Sequence, residues 1–177
     1  MKYKKPLNLN LGCGSRRIAG TLGMDAIKTD ATDLVHDLNK GLKMFKDGEV
    51  DSVYAIHFLE HVDNYIFLME EIWRVLKNGG KLYVEVPFFA HANAFTDPTH
   101  KRFFTISSFI YFDKNNYCNF YSSAPFKMVK RKLIFPGYLK FLEYIFNVSP
   151  MMQKIHEKIA FIFPALELHF VLEKWGG

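Results

Sequence analysis

Leu7-Asn8-Leu9-Asn10-Leu11-Gly12-Cys13-Gly14-Ser15-Arg16-Arg17 begins as an apolar alternation of strand type and runs straight into a Gly-x-Gly turn. A buried strand ending in small residues lets a ligand approach bare backbone. In an open α/β sheet, small charged molecules bind outside the carboxyl end of such a strand. A dinucleotide fingerprint needs a third glycine at the start of a helix, so that pyrophosphate rests on the helix N-terminus. Arg17 stands in that position. Only ten residues separate Gly14 from Asp25, which leaves room for little more than a turn. Both facts argue against NAD or FAD and for a ligand without phosphates.

Outward from this stretch, Thr21 to Asp25 reads as a second strand ending in an acid, and Asp33 to Leu38 as a third. Val50 to His57 is rich in β-branched and aromatic residues, as buried strands are. The spacing of Leu68, Met69, Ile72 and Leu76 predicts a helix over 63–77, with Asp63 as N-cap and Asn78-Gly79-Gly80 as the stop. Lys81 to Pro87 is the next strand. Strands and helices in alternation predict a parallel sheet with helices on both faces. Lys127 to Phe135 and Leu166 to Leu172 read as two late strands, with helical stretches at 138–147 and 151–163 between them.

The chain has 177 residues, 49% of them hydrophobic, with a net charge of +5. It is read as one domain with a substantial core, in which 88–112 forms a substrate-side loop and helix and 137–164 a helical lid. The mild positive charge suits an anionic small molecule and falls short of a nucleic-acid footprint. Cys13 and Cys118 make neither a disulfide framework nor a metal pair, which fits the cytoplasm. No apolar run reaches transmembrane length, and the first residues are too short and polar for a signal peptide.

Asp25 at the end of the second strand can accept hydrogen bonds from both hydroxyls of a ribose. Asp37-Leu38, after the third strand, can read an adenine edge. With these residues in order, the sequence resembles the class I S-adenosylmethionine-dependent methyltransferases over about residues 6 to 112. The carrying segments are Leu11-Gly12-Cys13-Gly14, Gly23-Met24-Asp25, His36-Asp37-Leu38-Asn39, His57-Phe58-Leu59-Glu60-His61-Val62 and Glu71 to Leu82. The resemblance implies a Rossmann-like doubly wound sheet of about seven mostly parallel strands. It also implies a hairpin-like C-terminal edge, a shortened first helix and a helical insertion before the last strand. It implies S-adenosylmethionine as cofactor, with Gly12, Cys13 and Gly14 beside methionine and ribose. Asp25 would lie on the ribose, Asp37 with Leu38 on adenine, and His57 near the methyl group. Where the family often carries an acid, this chain has Asn10, an amide that can still orient a water or the ligand ammonium.

Methyl transfer to a hydroxyl needs geometry and removal of a proton, and histidine is the natural base near neutral pH. His57, His61, His91 and His100 fall at the expected cleft, and His57 and His100 are the candidate catalytic residues. The expected reaction is O-methylation of a small polar acceptor such as a sugar or nucleotide-sugar. The segment His91 to Thr105, with Asp97-Pro98-Thr99-His100-Lys101-Arg102, is similar to segments of relatives tied to surface-polysaccharide pathways. Nucleic-acid amino methylation is disfavoured, because an Asn/Asp-Pro-Pro-aromatic segment is replaced by His57-Phe58-Leu59-Glu60.

Two alternatives stay open, a non-catalytic binding or scaffold module and a metal-dependent methyltransferase. For the latter, His57-x-x-Glu60-His61 with His100 imitates a segment that binds a divalent ion in some relatives. Local structure is the preferred reading of His61, and no metal ligand is assigned. Arg16 and Arg17 read as a solvated pair or as contacts to an anionic ligand. Lys127, Lys130, Arg131 and Lys132 read as an exposed strand edge. In the lid, Met151, Ile155, Ile159 and Ile162 lie opposite Lys154 and Lys158. This pattern covers a core or, as an alternative, contacts a membrane surface and suits a lipid-linked glycan acceptor.

Overall fold

The computed structural model describes residues 6–116 and 120–176, so Cys118 lies outside the described residues. One seven-stranded sheet organises them: β1 (Asn8–Leu11), β2 (Leu22–Asp25), β3 (Leu34–Val35), β4 (Val50–Ile56), β5 (Leu76–Pro87), β6 (Phe126–Ile134) and β7 (Glu167–Lys174). Their spatial order is β3-β2-β1-β4-β5-β7-β6. The first five strands pair in parallel, and β7 runs antiparallel between β5 and β6. This is the Rossmann-like sheet with a hairpin-like edge expected from the sequence. The carboxyl ends of β1, β2, β4 and β5 therefore share one rim, where ligands of open α/β sheets bind.

The helices depart from simple alternation. Among the described residues, only the crossover from β4 to β5 carries a full helix, α1 (Tyr65–Val75). Leu68, Met69, Ile72 and Val75 are fully buried at helical spacing, each contributing roughly 1.5–3 kcal/mol by leaving water. α1 is shorter than the expected 63–77. Asn64, not Asp63, is its N-cap residue, and Asp63 pairs with Lys101 instead. At the other end Leu76 has already turned extended and pairs with Val50, so the chain enters β5 before Asn78-Gly79-Gly80 is reached. Pairing with a buried strand ends the helix earlier than the glycines would. The third strand shrinks to two residues because Asp37 accepts from the Asn39 amide and starts a 3₁₀ turn.

The loop after β5 holds a short helix α2 (Asn93–Thr96), and α3 (Leu142–Phe146) and α4 (Pro150–Lys158) lie between β6 and β7. Ser149 caps α4 through its hydroxyl, with Pro150 in the first turn. The buried face of α4 is not the one its apolar pattern predicts. Gln153 and His156 point inward, while Met151, Ile155 and Ile162 are exposed. Gln153 Nε2 donates to the Arg131 carbonyl, and His156 Nε2 bonds the Phe163 carbonyl. His156 sits among Phe88, Phe135 and Phe146, and burial there lowers its pKa and keeps it neutral. Backbone carbonyls that need donors have selected polar residues for the inner face.

Among the described residues, no helix is long and apolar enough to cross a membrane. β6 is the outer strand of its end of the sheet and carries Lys127, Lys130, Arg131 and Lys132, matching the reading of a basic edge.

Candidate active site

β1 delivers Gly12 and Gly14 to the rim in left-handed backbone conformations, φ +62° and +48°. They open a cleft of about 470 Å³ whose lining includes Asp25, Ala26, Ile27, Asp37, Leu38, Asn39, His57, Phe58 and His61. That size falls in the range of small-molecule sites. Asp25 is fixed by two amides: Gly14 N–H donates to Oδ2 at 2.8 Å, and Ile27 N–H donates to Oδ1 at 3.0 Å. Each oxygen keeps a further lone pair for a ligand hydroxyl. Ile27, 70% exposed, and the buried Leu38 supply apolar surface to the same cleft. The Asp37 carboxylate is held below the ordinary range by the Asn39 amide it caps.

Asn10 and Cys13 are placed differently from the expectation. Neither is among the residues that line the cleft. Asn10 is buried and its amide donates to the Arg16 carbonyl at 2.9 Å, which ties down the loop after the glycines. The Cys13 thiol packs beside the Ala31 carbonyl and the Thr32 hydroxyl, and burial raises its pKa. Arg16 and Arg17 pair with Glu85 and Asp33 and bring no free charge to the cleft.

At the end of β4, His57 is the one described non-glycine residue with positive φ, +50°. Its amide donates to the Glu85 carbonyl at 2.8 Å, anchoring this uncommon conformation. The imidazole lies between two carboxylates, Nε2 at 3.0 Å from Glu167 and Nδ1 at 3.6 Å from Glu60. Glu167 first, then Glu60, raises its pKa to about 9. Glu167 is held at about 2 by His169 and His57. His57 is thus an imidazolium at neutral pH, with no lone pair to accept a proton. The expected role of base does not suit this environment; His57 presents positive charge and N–H donors instead. Glu167 comes from β7, and nothing in the local sequence around His57 signals it.

Beyond His57 a second cavity of about 220 Å³ is lined by His57, Glu60, His61, Pro87, Asn93, Asp97, His100, Leu166 and Glu167. It shares His57 and His61 with the first, so the two spaces adjoin. His100 reaches it because the loop after β5 is strapped to the turn after β4. Lys101 N–H donates to the Glu60 carbonyl, and Arg102 donates to the carbonyls of Val62 and Asp63. Lys101 and Arg102 thus hold the loop in place. His91 takes the Asn93 amide on its Nδ1 and does not line this cavity.

Residues 9–84 match the family described as methyltransferase domain. An uncharacterized protein of Methanocaldococcus jannaschii is 33% identical over 115 residues, covering 64% of this chain and 45% of that protein. The chain thus spans less than half the length of the curated relative it matches. Among solved structures, a SAM-dependent methyltransferase from Archaeoglobus fulgidus superposes with TM-score 0.65 at 21% identity, covering 95% of this chain and 86% of the other. The YcgJ protein of Bacillus subtilis gives 0.62 at 15% identity, covering 97% and 92%. At these identities the structural likeness is one of fold.

Proposed function

We propose that this chain, which has the fold of class I S-adenosylmethionine-dependent methyltransferases, is itself such an enzyme and methylates a hydroxyl oxygen of a small polar acceptor, a sugar or nucleotide-sugar. The observation that carries this is the pair of adjoining cavities at the sheet rim. One is long and partly apolar with a carboxylate at its β2 wall; the other is small and lined by hydrogen-bonding side chains, as a hydroxyl-rich acceptor requires.

The first cavity fits S-adenosylmethionine by its donor set. Open space lies where Gly14 would carry a Cβ, and Asp25 retains lone pairs for two ribose hydroxyls. Asp37, Leu38 and Ile27 supply polar and apolar contacts for adenine. The bound cofactor supplies a methyl group on a sulfonium, whose leaving group is a neutral thioether. The chain supplies geometry: Gly14 gives backbone clearance and Asp25 fixes the ribose. His57, where the cavities meet, sets charge and N–H donors between them. Glu60, His61 and His100 converge on the acceptor side, where His100 Nε2 would take the proton of the hydroxyl that attacks. With the cofactor bound, the carbon–sulfur electron pair would stay with the thioether as the acceptor oxygen takes the methyl carbon.

Calorimetry on the purified chain is expected to show one equivalent of S-adenosylhomocysteine bound. Incubation with S-adenosylmethionine and a panel of nucleotide-sugars is expected to release S-adenosylhomocysteine with at least one of them. Failure to bind either form of the cofactor sinks the methyltransferase reading, and turnover confined to non-sugar acceptors sinks the acceptor class.

The lid supports an acceptor presented at a lipid surface. Tyr138, Phe141, Tyr144, Val148, Met151, Phe161 and Ile162 are all exposed, flanked by exposed Lys140, Lys154 and Lys158. Apolar side chains ringed by lysine fit an anionic membrane surface. Phe161 packs on Phe89 at 5.6 Å, and the chain beyond runs into Leu166 and Glu167 of the acceptor cavity. We infer docking of this face on anionic lipid, at the cytoplasmic side, with which the free Cys13 thiol is in keeping. Co-sedimentation with vesicles of phosphatidylglycerol is expected, and its loss in a Tyr144→Ser, Phe161→Ser double variant. Equal sedimentation of that variant, or none by the native chain, overturns the inference.

A further inference from the structure

Glu60 is 1% exposed, yet neither of its carboxylate oxygens receives a hydrogen bond. Its charged neighbour, His57 Nδ1, stands at 3.6 Å from Oε1, beyond hydrogen-bonding distance. Burying a carboxylate without partners for its oxygens is unfavourable. Such a cost is tolerated where something else meets the oxygens.

Two imidazoles face the same point. A carboxylate oxygen of Glu60 and one ring nitrogen each of His61 and His100 all lie within 4.8 Å of one another. Their hydrogen bonds fix the tautomers. His100 Nδ1 is 2.9 Å from the Ala94 carbonyl, which can only accept, so Nδ1 carries the proton and Nε2 keeps its lone pair. His61 Nδ1 is 2.8 Å from the Thr99 hydroxyl, which donates its own proton to Asp97 at 2.6 Å. His61 Nδ1 is therefore also the donor, and its Nε2 is free. The Thr99 amide donates to the same Asp97 oxygen at 2.8 Å and holds that relay in place. Histidines that bind metals through Nε2 are oriented in this way, by a proton on Nδ1 given to a carbonyl, hydroxyl or carboxylate.

From this geometry we propose that Glu60, His61 and His100 form a site for a divalent transition-metal ion in the wall of the acceptor cavity. Two neutral imidazoles and one carboxylate suit zinc, cobalt or iron(II), and do not suit magnesium or calcium, which prefer an all-oxygen shell. Three protein ligands leave positions open toward the cavity, where acceptor oxygens coordinate. In the loaded site the lone pairs act on the acceptor through the ion, which lowers the pKa of a hydroxyl bound to it, the proton passing to solvent. Only this last role rests on the methyltransferase reading; the site itself does not. The other group of ligands, His57, Glu85 and Glu167, differs because its carboxylates already have partners, Arg16 for Glu85 and His57 and His169 for Glu167.

The test uses the full chain stripped with chelator and titrated with cobalt(II), followed by calorimetry and by the visible absorption of the ion. One equivalent is expected to bind with a ligand-field band. His100→Ala and His61→Ala are expected to abolish the band, and Thr99→Val to weaken binding about tenfold or more by releasing the His61 tautomer. His91→Ala, outside the cluster, is expected to bind as the native chain does. Melting curves identify any variant that has failed to fold, and Thr99→Val, a change outside the ligand set, keeps the test open if a ligand variant does not. No stoichiometric binding, or an unchanged band in folded His100→Ala, overturns the site. Measuring S-adenosylhomocysteine binding on the same stripped sample separates the two readings. Cofactor bound without cobalt removes only the metal site, and cobalt bound without cofactor removes only the methyltransferase assignment.

Discussion

Asp25→Asn is expected to weaken S-adenosylhomocysteine binding about 100-fold, with the fold retained. Each Asp25 oxygen already accepts one backbone N–H, from Gly14 at 2.8 Å and Ile27 at 3.0 Å. An amide can offer an oxygen to only one of them. Its NH₂ then faces the other N–H, donor against donor, and the loop carrying that amide must shift. The ribose hydroxyls lose a charged acceptor at the same time. Hydrogen bonds to charged groups contribute about 1.5–3 kcal/mol each, so losing charge assistance on two hydroxyls costs about 3 kcal/mol, or about 100-fold in affinity. Asp25 lies at the sheet rim outside the fully buried core, so a melting temperature close to native is expected. Calorimetric affinity within threefold of native places the ribose elsewhere.

Gly12→Ala and Gly14→Ala are expected to fail in opposite ways. Both glycines have positive φ, which costs an alanine roughly 1–2 kcal/mol. At Gly12 a Cβ would also fall 2.1 Å from Cδ2 of Phe58, inside van der Waals contact with a packed ring. Displacing that ring adds about 1–3 kcal/mol of overpacking. Together these lower the melting temperature by about 5–15 °C for a chain of this size. At Gly14 nothing lies within 4 Å of the added Cβ. Gly14→Ala therefore melts within a few degrees of native, yet projects a methyl group into the ligand space and lowers cofactor affinity at least about tenfold. Differential scanning fluorimetry with and without S-adenosylhomocysteine reads both effects. Equal melting temperatures for the two variants would refute the packing argument.

What the sequence disclosed and what it withheld divide along physical lines. β1, β4 and β5 were legible because buried apolar residues recur in them at the strand period of two: Leu9 and Leu11, Val53 and Ala55, Leu82, Val84 and Val86. The order of Gly12, Asp25 and Asp37 was legible because parallel strands deliver successive loop residues to one rim. Where α1 ends was not, since Leu76 leaves the helix for a partner, Val50, that is distant in sequence. The inner face of α4 was not, because carbonyls at Arg131 and Phe163 chose Gln153 and His156 over isoleucine and methionine. The charge on His57 depends on Glu167, 110 positions away in the chain and brought near by an antiparallel strand. His100 was read as a candidate base, and it lies in the wall of the second cavity. The relay through Thr99 and Asp97 that prepares its neighbour His61 is a matter of tautomers, which residue spacing does not encode.

The thin connections of the first half carry a further meaning. With turns in place of helices between β1, β2 and β3, the walls of the larger cleft are held by side chain-to-backbone bonds such as those of Asp25, Thr29 and Asp37. Segments of this kind open locally at a small fraction of the global free energy. A nucleoside lying across them joins loops that no helix joins, and a ligand at a hundred times its dissociation constant adds about 2.7 kcal/mol to whatever it holds together. On the proposed reading the cofactor would take the place of the missing layer of secondary structure, and this half of the protein would resist amide exchange and proteolysis longer with it bound.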